Sequence, residues 1–263
     1  MPNILVAGAA SGIGKAFVLH YLQNPENHIF AIDKSFHDPG IPGLASASEE
    51  TYEAYHKSVN CESRERLLLY TLDITNADQV FGQLYNVQDL DLVIHSAGVR
   101  GLEPSIPITQ SSDVASAETI DVTSASTMLS TFNTNAIGTF LLLRALIPKF
   151  RSSSSNLPKP KVIIMGSRMG SIGHNTNGGG YAYRASKAAL NAIVKSFAVD
   201  VPEAVWLIVH PGRVESGLVA VREEGAIGAE ESVEDMVELI ERFPEGSGKN
   251  GSFVDRFGGE IVW

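Results

Sequence analysis

The 263-residue chain is 44% hydrophobic, enough for a sizeable core. Its formal net charge of −10 argues against a nucleic-acid surface or an anionic-membrane surface. Its single cysteine, Cys61, allows neither an internal disulfide nor a cysteine metal cluster, which suits a reducing, cytoplasmic setting.

No basic-plus-apolar leader precedes Ile4, and the longest apolar run, Phe140-Leu141-Leu142-Leu143, is too short to span a bilayer. Residues 3–7 read as a buried strand. The turn Gly8-Ala9-Ala10-Ser11-Gly12-Ile13-Gly14 follows and opens a helix with apolar positions at Ala16, Phe17, Leu19 and Leu22. A glycine turn between strand and helix lets backbone N–H groups approach a pyrophosphate at the helix N-terminus. The spacing is G-x-x-x-G-x-G. A second strand over residues 28–33 ends at Asp33, 19 residues after Gly14, where a carboxylate can accept from both hydroxyls of an adenine ribose. A 2′-phosphate there would face like charge, which favours NAD over NADP. Lys34 is the residue that could turn inward to hold such a phosphate, while Lys15 reads as solvated.

Residues 35–66 form a long connection. Pro39, Gly40, Pro42 and Gly43 make its first part irregular. Residues 48–59 can form a helix with Tyr52, Tyr55 and Val59 on one side, and no chemistry is read there. A third strand, 67–72, leads to Asp73 and Ile74, with Asp73 able to accept from an adenine amino group. A fourth strand, 90–95, leads to Ser96-Ala97-Gly98, which leaves room for a flat ring against the backbone. His95 reads as a core or strand-end residue, because no second histidine or carboxylate stands at metal-ligand spacing. Residues 99–121 read as a loop. Residues 123–150 read as one or two helices with Asn135 inside, where a polar side chain must be hydrogen-bonded, either structurally or to an active-site water.

Ser152-Ser153-Ser154-Ser155-Asn156 has the composition of a linker. An apolar strand over 161–165 follows at once, so residues 1–263 read as a single domain. Ser167 stands where that strand ends. A glycine- and asparagine-rich loop runs to Gly180, and a helix to about Asp200 then carries Tyr183 and Lys187. Residues four apart share a helix face. An ammonium beside a phenol favours phenolate, and such a pair can exchange a proton with a carbonyl/alcohol couple. The ordinary alternative is a tyrosine packed under a lysine stem. A sixth strand over 205–209 ends in His210-Pro211-Gly212. Residues 216–228 read as a cover, 230–243 as the last long helix, and 252–254 and 260–263 as short strands or extended pieces.

Strands alternate with helices throughout, which predicts an α/β fold: a doubly wound Rossmann-type parallel sheet with helices on both faces. Ligands of such sheets sit beyond the C-terminal strand ends, where the residues singled out above fall.

With Ala7-Gly8-Ala9-Ala10-Ser11-Gly12-Ile13-Gly14, Ser96-Ala97-Gly98, Asn135, Ser167, Tyr183-x-x-x-Lys187 and Pro211-Gly212 in order, the chain resembles the short-chain dehydrogenase/reductase family. The segments 165–173 and 181–187, with Trp263, resemble its sniffer/C-factor-like carbonyl reductases. The resemblance implies an NAD(P)-dependent oxidoreductase that interconverts a ketone or aldehyde and an alcohol. Tyr183 would be the general acid or base. Lys187 would lower its pKa and bind the nicotinamide ribose. Ser167 would donate to the substrate oxygen, and Asn135 would hold a water linking Lys187 to solvent. The cofactor would run along Gly8, Ser11, Gly12, Ile13, Gly14, Asp33, Lys34, Asp73, Ile74, Ser96, Ala97, Gly98, Tyr183, Lys187, Pro211, Gly212, Val214 and Ser216.

The same resemblance implies a homodimer or homotetramer paired through the helices of Asn135 and Tyr183, and a small-molecule substrate selected by residues 99–121, 169–180 and 213–228. The chain departs from the family at several points. Ala7 and His95-Ser96 replace the usual threonine and Asn-Asn, which is expected to loosen local backbone bracing. Ser171, 12 residues before Tyr183, rivals Ser167, 16 before. Arg213 and Ser216 replace a frequent tryptophan and a common threonine. An isomerase or cyclase on the same fold, and a dinucleotide-binding regulator without turnover, remain as other readings. The complete Asn-Ser-Tyr-Lys set argues against the regulator.

Overall fold

A computed structural model describes residues 2–37, 50–60, 65–151, 158–243 and 249–263. The irregular stretch at Pro39 to Gly43, Cys61 and the serine run at 152–156 lie outside the described residues.

The chain begins with β1 (Asn3–Ala7), α1 (Gly12–Leu22) and β2 (His28–Asp33), followed by β3 (Phe36–His37), β4 (Glu50–Thr51) and α2 (Tyr52–Ser58). Next come β5 (Leu67–Thr71), α3 (Ala77–Leu84), β6 (Leu92–His95), α4 (Ser111–Ser116) and α5 (Ala125–Phe132). A π-helical turn (Asn133–Gly138) joins α5 to α6 (Thr139–Arg151). Then follow β7 (Lys161–Met165), a 3₁₀ turn (Arg168–Gly170), α7 (Tyr181–Asp200), β8 (Val205–His210), α8 (Ala229–Arg242) and β9 (Ser252–Asp255).

Seven strands form one parallel sheet in the order β5-β2-β1-β6-β7-β8-β9, while β3 and β4 form a small pair of their own. The continuous apolar strands predict burial on both faces, and Ile4, Leu5, Val6 and Ala7 are all buried. Alternation divides them. Ile4 and Val6 pack with apolar residues of α1 and α8, and Leu5 and Ala7 with those of α3, α6 and α7.

The strand order reverses at β1, which pairs with β2 on one side (Val6 opposite Ala31) and β6 on the other (Val6 opposite Ile94). A crevice opens beyond the strand ends at such a reversal, and ligands bind there. The turn after β1 begins there and is tied across the sheet, Gly8 N–H donating to Ile32 O at 2.9 Å.

Several expectations change. The connection after β2, in which no chemistry was read, braces the glycine turn. Tyr55 is fully buried, packs edge-on against Phe36 at 4.8 Å and donates its hydroxyl to Ala9 O at 2.6 Å. The same helix meets Lys15, whose ammonium lies 5.1 Å from the centre of the Tyr55 ring. The stretch 99–121 is not all loop, because α4 lies within it, its start fixed by the Asp113 carboxylate, which accepts from the N–H groups of Thr109 and Gln110. Between β5 and β6 the chain adds α3, which Asn76 caps by accepting from Gln79 N–H at 3.1 Å. Residues beyond β9 fold back on it through a Val254–Glu260 bridge. Among the described residues no helix is long and apolar enough to cross a membrane.

Candidate active site

A cavity of about 1220 Å³ lies beyond the C-terminal ends of the strands. That exceeds the usual range for a single drug-sized ligand and leaves room for a dinucleotide beside a second molecule. Gly8, Ser11, Ile13, Gly14, Asp33, Lys34, Asp73, Ile74, Ser96, Ala97 and Gly98 line one part, and Ser167, Tyr183, Lys187, Pro211, Gly212, Val214 and Ser216 the other. Gly12 sits behind that wall, under the backbone of Ser216. The expected cofactor residues thus lie along one cleft.

The glycine turn fits a pyrophosphate. Gly8 has φ +81°, and a Cβ there would lie 2.5 Å from Ala97 N, so no other residue fits without displacing backbone. Ser11 makes no side-chain capping bond, which leaves the first-turn N–H groups of α1 to a ligand. The Asp33 carboxylate fastens the turn to β2, accepting from Ala10 N–H at 3.1 Å and Ser35 N–H at 2.9 Å. The bracing expected to loosen at Ser96 is kept, because Ser96 Oγ donates to Ala7 O at 2.9 Å.

At the other end, Tyr183 and Lys187 lie one turn apart on the buried face of α7, 6% and 4% exposed, whereas Tyr181 points outward. The helix start depends on three consecutive glycines, Gly178, Gly179 and Gly180, all at positive φ. Arg184 gathers this run by donating to Gly179 O and Gly178 O. Lys187 donates to Met165 O at 2.8 Å, and burial lowers its pKa to about 8. Its nitrogen lies 5.8 Å from the centre of the Tyr183 ring. A second cation is nearer: the Arg100 guanidinium stands 5.0 Å from the same centre. Burial holds the Tyr183 pKa above the ordinary phenol value, against the lowering effects of the Arg100 charge and a hydrogen bond from Ser167.

The two serines have separate surroundings. Ser167, at the end of β7, lines the cavity with Tyr183 and acts to lower the Tyr183 pKa, and its hydroxyl accepts from Met169 N–H at 3.2 Å. Ser171 is turned the other way, donating to Val262 O at 2.5 Å and accepting from His174 N–H at 3.1 Å. Ser167→Ala is therefore expected to lower kcat about 10²-fold, the typical effect of one lost donor to a developing oxyanion. Ser171→Ala should leave kcat within a few fold and lower stability by about 1 kcal/mol. Steady-state rates and thermal melts of both variants test this, and the opposite pattern would exchange the roles.

Asn135, in the π turn, is completely buried and does not line the cavity. Its amide donates to Val99 O at 2.8 Å and Ser186 Oγ at 2.9 Å, and its oxygen accepts from Val99 N–H at 2.8 Å. Both amide hydrogens are committed, so the side chain pins the Gly98 turn to α7. His95 is buried with Nε2 2.8 Å from Thr139 Oγ1, and among the described residues no cluster could hold a metal.

Arg100, Glu118 and Glu223, which belong to none of the motifs above, also line the cavity. Arg100 follows Gly98 by two residues, which is the one local signal it carries. Glu118 and Glu223 reach the site only through the path of the chain.

A model of the short chain dehydrogenase family matches residues 2–226. The C-signal protein of Myxococcus xanthus is 34% identical over 177 residues, covering 66% of this chain and 93% of its own. The NADPH-bound carbonyl reductase from chicken fatty liver is 25% identical, with a TM-score of 0.79 over 100% of this chain and 99% of its own. The carbonyl reductase Sniffer of D. melanogaster is also 25% identical, with a TM-score of 0.78 over the whole of both chains.

Proposed function

The chain belongs to the short-chain dehydrogenase family and is an oxidoreductase; from that premise we propose that it interconverts a ketone or aldehyde and an alcohol using NAD(P), with Tyr183 as general acid and base. The observation that carries the reading is one cleft with Ser167, Tyr183 and Lys187 at one end and the glycine turn with Asp33 at the other. When bound, the nicotinamide supplies or accepts the hydride. In reduction, Tyr183 gives its phenol proton to the carbonyl oxygen. Ser167 donates to that oxygen as it gains negative charge. Lys187, held by Met165 O, would bind the nicotinamide ribose, and Asn135 pins the loop at Val99 to α7 through Ser186. We read residues 1–263 as one domain, because β1 and β9 belong to the same sheet. A screen of small carbonyls and alcohols with both cofactors, followed by nicotinamide absorbance, tests the reading. It is abandoned if no substrate class changes that absorbance.

Asp33 favours NAD. Its carboxylate is fixed at the end of β2 by two backbone donors, and a 2′-phosphate there would meet like charge. The chicken-liver relative holds NADPH, which speaks for the opposite choice through Lys34. NADH is expected to bind more tightly than NADPH at matched salt. A tenfold preference for NADPH would assign Lys34 to the phosphate. Asp33→Ala should narrow the NADH advantage.

The oligomer reading rests on a stripe along α5, the π turn and α6, where Met128, Leu129, Phe132, Ile137 and Phe140 are exposed, Leu129 by 72%. Apolar residues at this spacing form one helix face. Light scattering at micromolar concentration should give at least twice the 28.2 kDa chain mass, and Leu129→Glu with Phe132→Glu should return it to one chain.

A further inference from the structure

Arg100 leaves the turn after β6 and crosses the cleft to Tyr183. Two of its nitrogens are taken by Glu118, Nε–Oε2 at 2.9 Å and Nη2–Oε1 at 2.8 Å, with both side chains largely buried at 13% and 12% exposure. A planar guanidinium gripped at two points cannot pivot, so its remaining face is aimed by the grip. That face lies over the Tyr183 ring at 5.0 Å. Glu118 is itself fixed to the helix that carries Tyr183, because its carbonyl accepts from Gly180 N–H at 2.8 Å, one residue before α7 begins. Three separate segments thus meet at one phenol.

We infer that Arg100 is a positioning residue for Tyr183: its guanidinium, clamped by Glu118 and lying on the ring, steadies the negative charge that the phenol oxygen acquires on losing its proton. The inference rests on the proposed role of Tyr183 as acid and base. In a buried site the charge of a phenolate is poorly solvated, and a fixed cation offsets that. The groups that act on Tyr183 have opposite signs. Arg100 and the Ser167 hydrogen bond favour phenolate, and the carboxylates of Glu118 and Glu223 disfavour it. Lys187, on the same helix, lies over the ring at 5.8 Å but spends a hydrogen on Met165 O. Burial opposes the Arg100 charge, and the Glu118 bonds together with the charges of Glu118, Tyr183 and Glu223 outweigh that opposition, so the cation persists.

The two members of the pair should therefore move Tyr183 in opposite directions. Arg100→Met removes the favourable charge, so Tyr183 should lose its proton at higher pH. Glu118→Gln removes an unfavourable charge while keeping the shape, so Tyr183 should lose its proton at lower pH. Arg100→Lys keeps the charge and should fall between wild type and Arg100→Met. The cofactor-free protein, carrying tyrosine carbon-13 labelled at the ring carbon bearing oxygen, is titrated from pH 8 upward by NMR, with the Tyr183 signal assigned by Tyr183→Phe. In alcohol oxidation the rate rises with pH as Tyr183 loses its proton, and the pH at which it levels off should move the same way, with about tenfold in rate below that pH for each pH unit of movement. A pair with only a structural role would move both variants in one direction or neither, and that result overturns the inference. If Arg100→Met does not fold, Glu118→Gln and Arg100→Lys still decide the sign. If no alcohol turns over, the proposed activity fails while the NMR titration still judges Arg100.

Discussion

Tyr183→Phe is expected to cut turnover by at least about 10²–10⁴, the range for a lost general acid or base, with cofactor affinity and fold unchanged. The substitution removes one oxygen and keeps the ring, which is what packs beneath Arg100. The side chain is 6% exposed and belongs to α7, whereas the cradle at Gly8 to Gly14 is built between β1 and α1. Ser167, which lines the same cavity, keeps its backbone contact at Met169 N–H in the variant. Steady-state rates together with a dissociation constant for the reduced cofactor check it. Turnover near the wild-type value would remove Tyr183 from the mechanism, and loss of cofactor binding would give it a structural role.

Lys187→Met should abolish activity as fully as Tyr183→Phe and, unlike it, make the protein more stable. Residues that act as one unit lose most of the effect when any one is removed. The stability gain follows from burial, which takes the Lys187 pKa from 10.5 down to about 8. Folding the charged form therefore costs about 3 kcal/mol at neutral pH. Methionine has nearly the same length and no charge to bury. It forfeits the bond to Met165 O, a loss of about 1 kcal/mol, so a net gain of about 2 kcal/mol remains. The unfolded chain holds the Lys187 proton up to pH 10.5 and the folded one releases it near pH 8. Wild-type stability then rises with pH across that interval, and the advantage of the methionine should shrink there. Melts at pH 7 and pH 10 test both parts. A destabilised variant at pH 7 would mean that Met165 O and the surrounding packing depend on the ammonium more than burial opposes it.

What could be read in advance was local. The glycine turn, the strands and the Tyr183–Lys187 spacing each lie within a few consecutive residues, where periodicity and positive-φ glycines leave a trace. What could not be read depends on how distant segments approach. Tyr55 braces Ala9 across 46 residues, Asn135 reaches back 36 residues to Val99, and Glu118 meets Arg100 between two loops with no common pattern. Ser171 illustrates the limit most directly. From spacing it rivals Ser167, and only the return of Val262 to its side gives it a different task. The short helix α3 is the opposite case, since its Asn76 cap was legible and was not used.

The position of β1 also bears on how the chain reaches this structure. Its neighbour on one side, β2, begins 25 residues after β1 does, but its neighbour on the other, β6, begins 89 residues after. Every ladder of the seven-stranded sheet is parallel, so each must be closed by a crossover rather than a hairpin. Loop closure on this scale comes before the contacts that reward it, and such topologies fold slowly. On a ribosome β1 would hold one bare ladder edge until residue 95 had emerged. During that interval the apolar run at residues 4–7 is exposed to other chains. Yields on expression should therefore respond to chaperone supply and temperature more steeply than the equilibrium stability of the finished protein suggests.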